Sequence, residues 1–235
     1  MGARVTAESY QRGKLSRREA ELMLAFCNNI GPIYFTSFVF HLFPVEHPWA
    51  FLAGMYLLPL LYGLFLRYTS YRDIPRPARI GESGINKMHL SVKKHSLHAA
   101  EAPAAAEQKR LPGGPSLFAE MQNSIVSSLC AIASLGGYMI LFNLLNLIPE
   151  ILLPSKLTAL QDIIGCILEI TSGLSRLPAS MAFWGYVLLP FGGLSCIAQT
   201  YSMIQETDLS LKNYVGHKIV QTMLAFVYYT FLYVF

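Results

Sequence analysis

Long uncharged apolar runs separated by short polar stretches set the pattern of this chain. Leu22 to Val45 contains no Lys, Arg, Asp or Glu, and neither do residues 48–66, 121–149 or 177–205. A fifth run, Ile219 to Phe235, closes the sequence. About 20 apolar residues carry an α-helix across a bilayer, so each run predicts a membrane helix. The fifth reaches that length when Tyr214 to Lys218 opens the helix, with Lys218 snorkelling to the interface. A sixth segment, Leu157 to Leu174, is apolar but carries Asp162 and Glu169. It either spans or dips in and returns, because a charge at membrane depth faces the protein interior or a watery cavity. The predicted fold class is all-α: a polytopic integral membrane helical bundle of about six embedded segments, with broken or re-entrant helices.

Helix breakers fall inside these runs. Asn28-Asn29-Ile30-Gly31-Pro32 interrupts the first. Proline removes a backbone donor and crowds the preceding turn, and asparagine amides compete for the backbone. Pro190-Phe191-Gly192-Gly193 interrupts the fourth, and Thr171-Ser172-Gly173 marks a third break near the end of the sixth segment. Backbone freed at such breaks must be satisfied by protein or by a water-lined cavity. Arg67 to Pro115 is different: rich in Pro, Ala and charge, without sustained apolar periodicity, it reads as a partly disordered loop with a short helix at Ala99 to Ala106.

Charge adds a direction to this picture. Only 14% of residues are charged, against roughly 25% in soluble domains, which excludes a mostly wet surface. Five Lys/Arg lie in residues 1–19, nine in 67–115 and four in 116–235. By the positive-inside rule the N-terminus and the 67–115 loop are cytoplasmic, the first two spans form a hairpin, and Glu150 to Lys156 lies outside. The lipid bilayer, in the cell membrane, is the expected surrounding, and the loop suits contact with anionic headgroups. Nucleic acid is not an expected partner, since the basic residues lack an aromatic stacking platform. Residues 1–21 have no apolar signal-peptide core.

Catalytic chemistry finds no support. There is no Gly-x-Ser-x-Gly elbow and no H-E-x-x-H pair, so an enzyme, a catalytic residue and a cofactor are not expected. The histidines at 41, 47, 89, 95, 98 and 217 lack metal-ligand spacing with a second strong ligand. Cys27, Cys130, Cys166 and Cys196 form no CxxC pair and read as small packing residues. Gly136-Gly137 reads as a close helix-packing point.

The polar breaks are therefore the candidate chemistry. Asn28 and Asn29, with Gly31 and Pro32, offer amide donors and acceptors beside exposed backbone dipoles, which suits a polar or ionic ligand. The same residues also suit a packing kink bridging neighbouring helices. Glu169 with Thr171 and Ser172 could contact a cation, a proton or a hydroxyl, or sit near a helix end. Gln199, with Thr200, could face the same cavity. An internal echo supports two related halves: Ala7-Glu8-Ser9-Tyr10, Leu15-Ser16 and Leu24-Ala25-Phe26 are matched by Ala198-Gln199-Thr200-Tyr201, Leu209-Ser210 and Leu224-Ala225-Phe226. An apolar segment, Met181 to Ile197, precedes the second copy only, so an N-terminal portion is expected to be absent from this chain.

Three stretches carry a family likeness. Gly2-Ala3-Arg4 leads through the basic turn Arg12-Gly13-Lys14 and Ser16 to Phe26-Cys27-Asn28-Asn29-Ile30-Gly31-Pro32; Leu168 to Gly173 and Gly193 to Gln199 follow. In this order they resemble the YlbJ family of sporulation integral membrane proteins, which carry the nucleoside-recognition Gate domain. The resemblance implies a multi-pass membrane protein of sporulation, transporter- or channel-like, with domains at 1–66 (the end of a first gate-like repeat, two membrane helices), 67–115 (the loop) and 116–235 (a second gate-like helical domain). Its candidate partners are a small polar solute or ion, a second copy, or other sporulation membrane proteins. The rival expectation is a non-transporting membrane scaffold that acts through partner proteins and the loop. The family's usual chain is longer, with further membrane segments before the position of Gly2.

Overall fold

A computed structural model describes residues 2–74 and 117–234. The expected helix at 99–106, the histidines at 89, 95 and 98, and most of the basic loop lie outside the described residues. The chain divides into two units, Met1–Ile74 with Ser134–Phe235, and Pro75–Ala133. All packing below concerns the first; the described part of the second is the regular opening of one helix.

The helices are α1 (Gly2–Gln11), α2 (Arg17–Cys27), α3 (Pro32–Tyr34, Phe35–Val39 and Phe40–Leu42 run together) and α4 (Pro48–Tyr68). After the loop come α5 (Leu117–Leu145), α6 (Leu147–Leu152), α7 (Thr158–Leu168), α8 (Ile170–Arg176), α9 (Ala182–Leu188), α10 (Gly193–Ile204) and α11 (Leu211–Val234). Among the described residues, four stretches are long and apolar enough to cross a membrane: Arg17–Leu42, Pro48–Tyr68, Ser124–Leu152 and Ala179–Ile204. The all-α expectation holds, with fewer unambiguous spans than the sequence suggested. The 24-residue α11 is long enough, but Lys212, Asn213, His217, Lys218 and Gln221 make its first half polar.

Two of the four spans are broken where the breakers stand. Between α2 and α3, Gly31 is extended (ψ 145°), as the residue before a proline must be, and Pro32 takes the first helical position, where its missing N–H costs nothing. The middle of α3, Phe35–Val39, is a π-turn, and it delivers Phe35 and Val39 to the main core beside Phe51, Met55, Tyr186 and Tyr229. Between α9 and α10, Gly192 and Gly193 have φ of 77° and 81°, a left-handed conformation that favours glycine.

The third break is not where it was expected. Thr171, Ser172 and Gly173 lie inside α8, and the chain reverses one turn earlier, at the single extended residue Glu169 (φ −142°, ψ 112°). A Cβ on Gly173 would stand 2.4 Å from both Cα and N of Cys166, so α7 and α8 lie backbone against backbone. An 11-residue α7 is roughly 16 Å long, about half the hydrocarbon thickness. The sixth segment therefore turns back on itself. Its return arm is tied to the α5–α6 corner: Asn146 Nδ2 donates to Ser172 Oγ at 3.0 Å, and Arg176 pairs with Glu150.

The echoing segments become two helix–turn–helix pairs, α1–α2 and α10–α11. One apolar cluster joins Ala3, Ala7, Ala20 and Leu24 to Ile204, Leu209 and Tyr214. A serine opens the second helix of each pair. Ser16 makes a full capping box with Glu19, and Ser210 Oγ accepts from Asn213 N at 3.3 Å. The Leu-Ala-Phe triplets do not share this register, because Ala25 comes nine residues after Ser16 and Ala225 fifteen after Ser210. Two packing expectations change. Nothing lies within 4 Å of a Cβ added at Gly136 or Gly137, and Cys130 is exposed while Cys166 is buried.

Candidate functional site

The end of α2 leaves carbonyls with no helical partner, and side chains from distant helices fill that need. Gln221 Nε2 donates to Ala25 O at 2.6 Å, and Asn29 Nδ2 folds back onto Phe26 O at 2.7 Å. Lys218 Nζ donates to Asn28 O at 2.6 Å, to Asn29 Oδ1 at 3.0 Å and to Gln221 Oε1 at 3.3 Å. Asn28 Nδ2 in turn donates to Thr200 Oγ1 at 3.0 Å and Tyr214 OH at 2.9 Å. Tyr56 OH reaches Ile30 O at 3.1 Å. The first break is thus closed by protein, chiefly by one face of α11: Tyr214, Lys218 and Gln221 stand at helical spacings of four and three.

The hairpin tip is closed in a different way. The Glu169 carboxylate accepts from Thr171 N at 3.1 Å and Ser172 N at 2.6 Å, so its charge faces two of the free N–H groups that open α8. Its side chain is only 3% exposed. The glycine turn between α9 and α10 rests on this tip: a Cβ on Gly193 would lie 3.1 Å from Ile170 N and 3.3 Å from Leu168 O. Tyr34 OH donates to Thr171 Oγ1 at 3.2 Å, which links the tip to α3.

Where the three breaks approach one another they border a half-open cavity of about 300 Å³. Asn28, Asn29 and Gly31 line it from the first break, Glu169 and Thr171 from the tip, and Gln199 from α10. Pro32 and Ser172 are not on its wall. Pro32 shapes the break, and Ser172 is engaged by Glu169 and Asn146. Among the described residues, the Gln199 amide and the hydroxyls of Ser195 and Tyr138 have no side-chain partner, and all three line the cavity. These are groups that can turn to a bound solute, whereas the amides of Asn28 and Asn29 are already committed. No group of three His, Cys, Asp or Glu that could hold a metal comes together among the described residues.

Sequence reasoning misplaced Lys218. It does not snorkel; it is 2% exposed and lines the cavity with Tyr214. The signal was present in the spacing of Tyr214, Lys218 and Gln221, which puts three hydrogen-bonding groups on one face of a helix that is otherwise apolar beyond them.

Broken helices, a half-depth hairpin and a polar cavity between them define a polytopic α-helical integral membrane protein. Across 97% of its length the chain is 25% identical, over 261 aligned positions, to "Sporulation integral membrane protein YlbJ" of Bacillus subtilis (strain 168). It is thus related to the YlbJ family, in agreement with the three motif stretches, and it spans 59% of that relative's length. No protein-family model and no solved structure matches the chain significantly.

Proposed function

We propose that this chain acts in sporulation as a transporter- or channel-like membrane protein whose cavity takes a small polar solute or ion. The observation that carries the reading is the cavity itself: three helix breaks meet around it, and Gln199, Ser195 and Tyr138 face it without protein partners. Discontinuous helices with uncommitted polar groups at their breaks are how many transporters hold a solute. The mechanism would be movement of a broken-helix hairpin against the remaining bundle. Kinship to a sporulation membrane protein supplies the setting.

The test is complementation of a spore-forming host that lacks its own copy of the relative. The unsubstituted chain is expected to restore heat-resistant spores, and Gln199→Leu to fail at equal membrane abundance. Deletion of residues 80–112 is expected to be tolerated. If that deletion abolishes rescue while Gln199→Leu keeps it, the solute reading falls and a scaffold acting through the loop replaces it.

A further inference from the structure

Lys218 is a buried cation without a carboxylate among its hydrogen-bond partners. Its ammonium is held by three uncharged oxygens, Asn28 O, Asn29 Oδ1 and Gln221 Oε1, between 2.6 and 3.3 Å away. One is a main-chain carbonyl just past the C-terminal end of α2, where the helix dipole is negative. Two are amide oxygens, strong acceptors with no charge of their own. Carbonyl and amide oxygens converging at the C-terminal end of an interrupted helix are the ligand set with which membrane proteins hold monovalent metal ions. Here the positive charge arrives on a side chain instead. Leaving an ammonium buried in hydrocarbon is costly unless such partners compensate it, so the oxygens and the lysine require each other.

We propose that Lys218 is a tethered cation, standing in the place that a dissociable Na⁺ or K⁺ would take at the α2–α3 break. The three oxygens at the break are then occupied by a covalently attached cation, and the cavity beside it works without a monovalent coupling ion. That second consequence rests on reading the cavity as a solute site; occupancy of the break by the ammonium does not.

The experiment follows thermal unfolding of the full chain in detergent, in N-methylglucamine, Na⁺, K⁺ or methylammonium chloride at equal ionic strength. The unsubstituted chain is expected to unfold at one temperature in all four salts. Lys218→Ala is expected to unfold earlier in N-methylglucamine, which is too large for the site. It should regain about 4 °C when a small cation reaches ten times its Kd. Adding Asn29→Ala removes one of the three oxygens and should abolish that gain. Three results overturn the proposal. One is saturable stabilisation of the unsubstituted chain by Na⁺ or K⁺. Another is a Lys218→Ala chain equally unstable, or unfolded, in all four salts. The third is a Lys218→Ala chain as stable in N-methylglucamine as the unsubstituted one. None of these outcomes depends on sporulation, so failure here leaves the solute reading intact, and failed complementation leaves this one intact.

Discussion

Single atoms decide whether the closest contacts form. At Gly173 a methyl group would meet main-chain atoms of Cys166 at 2.4 Å, and main chain inside a helical hairpin cannot step aside. At Gly63 the nearest obstacles are Cδ1 and Cγ of Phe26, both at 2.6 Å, and these give way if the whole side chain swings about its Cα–Cβ bond. Gly173→Ala is therefore expected to cost well over ~3 kcal/mol and Gly63→Ala about 1–3 kcal/mol, visible as loss of folded protein in the first and a lowered unfolding midpoint in the second. Gln221→Leu should leave Ala25 O buried without its donor, at about 1–3 kcal/mol; an unchanged midpoint would show that this carbonyl finds another partner. At this scale the sequence was only partly legible. Asn28 and Asn29 stood out because two amides beside Gly and Pro are conspicuous in an apolar run. Lys218 did not, because one charge near the start of such a run reads the same whether it reaches outward to water or inward to carbonyls. Its near partner Gln221, three residues on, is the local hint, and the two partners that settle the direction lie 189 and 190 residues away.

Elements were easier to foresee than their turning points. Proline and glycine announce the α2–α3 and α9–α10 breaks, since one removes a donor and the other opens the left-handed region. The α7–α8 reversal has neither residue at its apex. It is made by a carboxylate that satisfies two N–H groups at once, and an acidic residue in an apolar stretch points equally to a ligand or a cap. Substitution separates these roles. Glu169→Ala should remove both acceptors and lower stability by about 0.5–2 kcal/mol, while Glu169→Gln keeps one acceptor oxygen and should lose about half as much. If Glu169→Gln keeps most of the stability yet gives no rescue of sporulation, the carboxylate acts on the solute as well as on the helix. If rescue tracks stability in both variants, capping is its whole contribution.

For the whole molecule, composition and charge carried the reading furthest, because a bilayer tolerates so few backbone arrangements. Orientation is where charge makes a prediction that packing does not: by the positive-inside rule, the basic residues of 1–19 and 67–115 are expected on the cytoplasmic side. In a background with Cys27, Cys130, Cys166 and Cys196 replaced, Lys14→Cys and Lys94→Cys should resist a membrane-impermeant maleimide added to intact cells, and Lys156→Cys should react. Labelling of the first two from outside would invert the topology. The cavity was less legible as a whole, since its wall draws on residues from Asn28 to Lys218 and no local pattern reveals which distant breaks will meet.

The wiring of the first break also bears on how the chain is made. α2 is made before the donors to Ala25 O and Asn28 O, which reside on α11, after every other described helix. Until α11 emerges from the ribosome, those carbonyls have neither water nor protein to meet. The nascent chain thus carries an unfinished segment from the synthesis of α2 until that of α11, and arrival of α11 completes it. A stop after Leu209 should leave a product that membrane proteases remove quickly, and supplying Ser210 to Phe235 as a separate peptide should prolong its half-life.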